Sequence, residues 1–254
     1  MKNLGLYPMK KLSFAIAILA MSAGSALSAD LPASTYTKAP PMVVPVYDWS
    51  GFYIGINGGG GSSHTCWDDV VPAGSIPQGC HNSIGGTAGG QIGYRWRTTD
   101  WVFGIEGQGN WADFSGSNVT PTGSNPFGGV TDRTRIDAFG LITGQIGYAW
   151  NNVLAYVKGG AAAVSNKYDM TAAGALVASG NEARWGETVG AGLEFGFTPN
   201  WSVGVEYNHI FLDDRNIALT LAGAPVSTDR IHQDVDIGLV RLNYRFGGPV
   251  IAKY

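Results

Sequence analysis

Residues 94–105, YRWRTTDWVFGI, decide how the chain is read. On either side of a polar break, Arg97-Thr98-Thr99-Asp100, every second residue is aromatic or branched: Tyr94 and Trp96 before it, Trp101, Phe103 and Ile105 after it. Such period-two alternation marks a β-strand with one face in an apolar medium, and two such runs joined by a short polar break predict an antiparallel hairpin.

The same alternation extends outward in both directions. In WSGFYIGINGG, residues 49–59, Phe52, Ile54 and Ile56 share one face while Tyr53, Gly55 and Asn57 share the other. Further alternating runs at 142–150, 153–164, 189–197, 201–211 and 235–246 bring the expected strands to eight. The joints alternate in length. Arg97 to Asp100, Asn151-Asn152 and Thr198-Pro199-Asn200 are tight turns, whereas 62–86, 112–134, 165–183 and 212–230 are polar and read as long loops. Segregating turns from loops in this way predicts an all-β, eight-stranded antiparallel up-and-down barrel of the transmembrane type, short turns at one end and long loops at the other. The motif GQIGYRW (90–96) returns as GQIGYAW (144–150), each immediately before a short turn, which marks equivalent barrel positions rather than a solenoid repeat.

Alternation alone does not say which face meets water. The face opposite the apolar one carries Arg95, Glu106, Gln108, Gln145, Lys158, Glu194, Glu206, Arg241 and Arg245. In a soluble barrel these groups would point outward, and in a bilayer they would line the interior. Three features favour the bilayer. Lys10 and Lys11, the apolar run 12–21 and the small residues before Asp30 read as a secretory signal peptide over residues 1–29, with Met1 and Met9 both available as starts. No helix of about 20 apolar residues follows it. The aromatics crowd the short-turn end: Trp49, Trp96, Trp101, Trp150 and Trp201 are expected to form one girdle at a membrane interface. Charged residues are only 14% of the chain, and removing residues 1–29 takes away three lysines and no acid, which leaves 13 basic against 19 acidic residues. That balance excludes nucleic acid as a partner.

Residues 30–48, with Pro32, Pro40, Pro41 and Pro45, read as a proline-rich periplasmic arm, 49–246 as the barrel and 247–254 as a tail that leaves the sheet at Pro249. In an exported chain Cys66 and Cys80 are most simply a disulfide; the neighbouring His64 and His81 raise a metal site as the rival, and no metal is assigned. An eight-stranded barrel is just wide enough for side chains to fill, so the inward charges are expected to pair with one another, a narrow ion path being the alternative. A hydrolase would need a nucleophile beside a base. His209 and His232 are the histidines placed to approach each other across the last two strands, no serine motif accompanies them, and the chain reads as a non-enzyme without cofactor. Ile237 and Leu239 share a face with Arg241, which calls for a bulge or for inward apolar residues.

Together, Asp30-Leu31-Pro32, WSGFYIGINGG, GQIGYAW followed by VLAYVKGGAA, and the closing VRLNYRF resemble the small opacity-type, porin-family outer-membrane β-barrels, specifically the alphaproteobacterial outer-membrane immunogenic proteins. The resemblance implies a structural barrel in the cell outer membrane with surface-exposed antigenic loops. Narrow porin-like permeability, or haem binding as in some relatives, comes with it, as do outer-membrane lipid, lipopolysaccharide and the barrel-insertion machinery as partners. It implies no oligomeric state. A soluble periplasmic binding barrel is the alternative, and a lipid-acyl hydrolase a third. Such barrels end on an aromatic that the insertion machinery reads, a place open to Phe246 or Tyr254.

Overall fold

A computed structural model describes residues 47–71, 74–119, 129–172, 175–221 and 224–247. The expected signal peptide, most of the arm and residues 248–254 of the tail fall outside them. Eight strands run in chain order: β1 (Gly51–Val71), β2 (Gly74–Thr98), β3 (Trp101–Val119), β4 (Val130–Trp150), β5 (Val153–Ala172), β6 (Ala175–Gly196), β7 (Trp201–Leu221) and β8 (Ala224–Arg245). Each pairs antiparallel with its sequence neighbour, and β1 pairs with β8 to close the barrel. Closure removes both sheet edges, the condition for a sheet to lie in lipid. No helix among the described residues is long and apolar enough to cross a membrane.

Lipid-facing aromatics mark the membrane. On β3, Trp101 and Trp111 both point outward and lie ten residues apart. At about 3.3 Å per residue and a tilt of about 40°, their separation along the barrel axis is about 25 Å, the height of an outer-membrane apolar band. Trp201 and Phe211 repeat the spacing on β7. Ladder irregularities obey the same boundary. Every register shift, from Trp67/Asp68 on β1 to Leu212/Arg215 on β7, lies at or beyond the extracellular edge of the band. Inside lipid an unpaired backbone group has no water to turn to, whereas outside it does.

Most of the four segments expected to be long loops are strand. β1 and β2 remain paired out to Val71 and Gly74, and β4 and β5 out to Val130 and Ala172. The reason is a reversal of pattern where the strands leave the membrane. Within the band the outward residues are apolar, apart from His209 and Asp236 near its upper edge; beyond it they include His64, Arg133, Lys167 and His232, while Trp67, Tyr168, Met170 and Ile231 turn inward and pack together. Between these two regimes the lumen itself is apolar, filled by Phe114, Ile136, Leu141, Ile210, Val235, Ile237 and Leu239. Ladder pairing is continuous through Ile237 and Leu239, so these are inward apolar residues and no bulge occurs there.

Candidate functional site

The lumen carries the chemistry, and it is filled in layers. Nearest the short turns, Arg95 donates from Nη2 to Glu194 Oε2 at 2.8 Å, with its guanidinium 4.4 Å from the Tyr53 ring centroid. Asn243 and Ser202 donate to the other oxygen of Glu194. Arg245 reaches Asp48 at 3.4 Å and the Pro199 carbonyl at 3.0 Å. One layer further in, Lys158 Nζ lies 3.1 Å from Glu106, 2.7 Å from Glu206 and 3.3 Å from Gln108 Oε1, and Arg241 donates to both carboxylates from the other side. Tyr53 and Tyr156 hydroxyls donate to Glu106 and Glu206 at 2.5 and 2.6 Å, and Gln145 donates to Tyr53 Oη at 3.2 Å. An amide relay of Asn57, Gln91, Gln108 and Asn110 follows, and above it lies the apolar plug.

All nine residues expected on the interior face are thus buried in the lumen. Arg95, Lys158, Arg241 and Arg245 stand against Glu106, Glu194, Glu206 and Asp48, so the named charges balance. Buried ions persist only when paired and hydrogen-bonded. Residues that sequence reasoning did not single out complete the packing. The Tyr53 and Tyr156 hydroxyls bridge the charges, and alternation from Ile54 and Val157 was the signal that places both inward. Arg184, buried near the extracellular mouth, donates to Gln233 at 3.0 Å and to the carbonyls of Ile231 and Asp213. It bridges the stretch between Ser179 and Gly186 where the β6–β7 ladder lapses.

Four of the five girdle tryptophans, Trp96, Trp101, Trp150 and Trp201, face outward at the turn end. Trp101 packs edge-on against Tyr148, which touches Trp150; Trp96 stacks on Phe103; Trp201 meets Tyr244, Phe246 and Phe52 follow. Phe246 therefore sits in the girdle. Trp49 does not, and this corrects the expectation: only 1% exposed, it lies against Tyr47 with its indole N–H donated to the Asn151 carbonyl. The strand starts only at Gly51, whose φ of +116° breaks the alternation and turns the preceding residues under the barrel mouth.

Cys66 and Cys80 are cross-strand partners on β1 and β2 and form a disulfide. Their sulfurs are bonded to each other, while His64 Nδ1 bonds Asn82 and its Nε2 lies 3.5 Å from Cys66 Sγ. His81 faces inward, and burial together with nearby His64 holds its pKa below 6.5. The structure does not bring His209 and His232 together. His209 bonds Asp236 and His232 bonds Asp214, each at 2.7 Å; the latter contact holds the Asp214 carboxyl below its usual range.

A closed antiparallel barrel with an apolar outer band, aromatic belts and an internal salt-bridged core defines an integral outer-membrane protein. The outer membrane protein beta-barrel domain family matches residues 15–246, and the chain belongs to that family. It is 31% identical over 246 residues to the 31 kDa outer-membrane immunogenic protein of Brucella melitensis biotype 1, covering 90% of this chain and 97% of that one. An uncharacterized protein of Coxiella burnetii is 28% identical over 186 residues, 66% of this chain and 71% of that one. Among solved structures, OprG of Pseudomonas aeruginosa aligns with a TM-score of 0.49 at 10% identity, covering 78% of this chain and 97% of that chain. The protein resides in the outer membrane, which overturns the soluble periplasmic alternative.

Proposed function

We propose that this protein is a structural, non-enzymatic outer-membrane barrel that displays rigid strand hairpins outside the cell and conducts little or nothing. The observation that carries the reading is the continuous filling of the lumen, from the Tyr47–Trp49 cap through the Lys158–Arg241 charge layer to the apolar plug around Phe139 and Leu141. A solute would have to break buried ion pairs and then pass a dry layer. Further support comes from His209 and His232, each of which is bonded to a separate aspartate. Reconstitution of the mature protein in planar lipid bilayers tests this. Silent membranes at protein densities where a general porin gives discrete steps are expected; stable, reproducible conductance steps would refute it.

A further inference from the structure

Beyond the membrane, the outward face of the first hairpin carries two consecutive cross-strand pairs, His64 with Asn82 and Cys66 with Cys80. Alternation puts them together: residues two apart on a strand share a face, so the His64 ring stands beside the Cys66 sulfur. Asn82 Oδ1 lies 2.7 Å from His64 Nδ1. An amide oxygen only accepts, so Nδ1 carries the ring proton and Nε2 keeps its lone pair. That second nitrogen lies 3.5 Å from Cys66 Sγ. A base against the sulfur, with a third group orienting the base, is the arrangement that activates a thiol.

The two sulfurs are not equivalent. Cys66 is half-buried and bonded by the imidazole, whereas Cys80 is exposed. In thiol–disulfide exchange the incoming thiolate needs access to one sulfur, and the other must leave with the negative charge. Access favours attack on Cys80, and the imidazole favours departure of Cys66. On β8 the register partner of Cys66 is His232, but its nitrogens face Asp214 at 2.7 Å and Asp234 at 3.5 Å, which leaves His64 as the proton donor to the sulfur. A disulfide that only stapled the hairpin would need neither the exposure nor the oriented base, since buried sulfurs in apolar surroundings are inert.

We infer that Cys80 is a site of reversible modification by low-molecular-weight thiols, with His64 as the acid–base partner of Cys66. The external thiolate forms a bond to Cys80 Sγ, the Cys66–Cys80 bond breaks, and its electron pair departs on Cys66 Sγ. The proton released by the thiol is taken up at His64 Nε2 and passed to Cys66. The attacking sulfur is thereby oxidised and Cys66 reduced; return attack by the Cys66 thiolate on Cys80 restores the disulfide and frees the thiol. The inference concerns the hairpin and not the lumen, so its failure would leave the proposed function untouched.

The test uses the protein purified from outer membranes in detergent, with its disulfide intact. It is exposed to 2-mercaptoethanol, an uncharged thiol whose rate reports the sulfurs rather than nearby Asp234, and trapped at intervals with N-ethylmaleimide for peptide mass spectrometry. The first product should carry mercaptoethanol on Cys80 and maleimide on Cys66. His64→Gln can still hydrogen-bond Asn82 but does not ionise, and should slow the reaction about tenfold, with its disulfide and heat-dependent gel mobility verified beforehand. The position of the adduct is read on the parent and needs no variant. Mercaptoethanol divided evenly between the two cysteines or found mainly on Cys66, or a His64→Gln protein reacting at the parent rate, would overturn the assignment.

Discussion

Replacing Lys158 by methionine should destabilise the barrel by about 3–5 kcal/mol, the usual penalty for removing one partner of a buried ion pair. The side chain of Lys158 is fully buried, and its ammonium has three acceptors: Glu106, Glu206 and Gln108. Methionine nearly matches its volume, so little cavity is left and the loss is electrostatic. Arg241 would then face two carboxylates alone, and the lumen would carry one uncompensated negative charge. At a urea dependence of about 2 kcal/mol per molar, the unfolding midpoint should fall by about 1.5–2.5 M, read as the fraction of protein keeping folded mobility on unheated gels. Lys158→Met with Glu206→Gln restores neutrality and should recover at least half of the loss. A single variant within about 0.5 M of the parent, or a double variant no better than the single, would refute charge balance as what holds the lumen shut.

His81 gives a pH dependence. Its folded pKa lies below 6.5, so on acidification the unfolded state takes up the proton first, and the stability of the extracellular hairpins should fall as pH drops below about 6.5. Hydrogen exchange at the β1–β2 tip, followed from pH 7.5 to 5, should show faster opening at the acid end for the parent and a flatter profile for His81→Gln; identical profiles would contradict the buried neutral ring. The disulfide should matter locally. Cys66 and Cys80 are 14 residues apart, so chain entropy allows about 3 kcal/mol of stabilisation. C66S/C80S should make this hairpin susceptible to protease on intact cells while heat-modifiable mobility of the barrel persists.

Much of the molecule is visible in the residues themselves. Alternation around Tyr94–Trp96 and Trp101–Ile105, with the echo at 144–150, specifies strands, turn positions and the identity of the lumen charges, because inside a bilayer each strand position meets either lipid or lumen. That rule lapses at three places. Leu141 and Ile142 are both apolar because the lumen turns dry at that height, so adjacent residues lose their contrast. Beyond Trp111 the outside becomes water and the contrast inverts, which makes strand look like loop. At Trp49 the aromatic pattern is right for a girdle but Gly51 turns the residue inward.

By itself, then, the sequence pointed to the barrel and its strand number through period and polarity, and to its insertion in a membrane and the groups that face inward once the export signal and the aromatic girdle are added. Only the tertiary structure decided which carboxylate meets which cation, that Tyr53, Tyr156 and Arg184 complete the lumen, that Trp49 caps it, and that Arg135 and Lys167 share Asp137. Those facts depend on strand register and on the side-chain lengths that span the lumen, and neither quantity is local to any one strand.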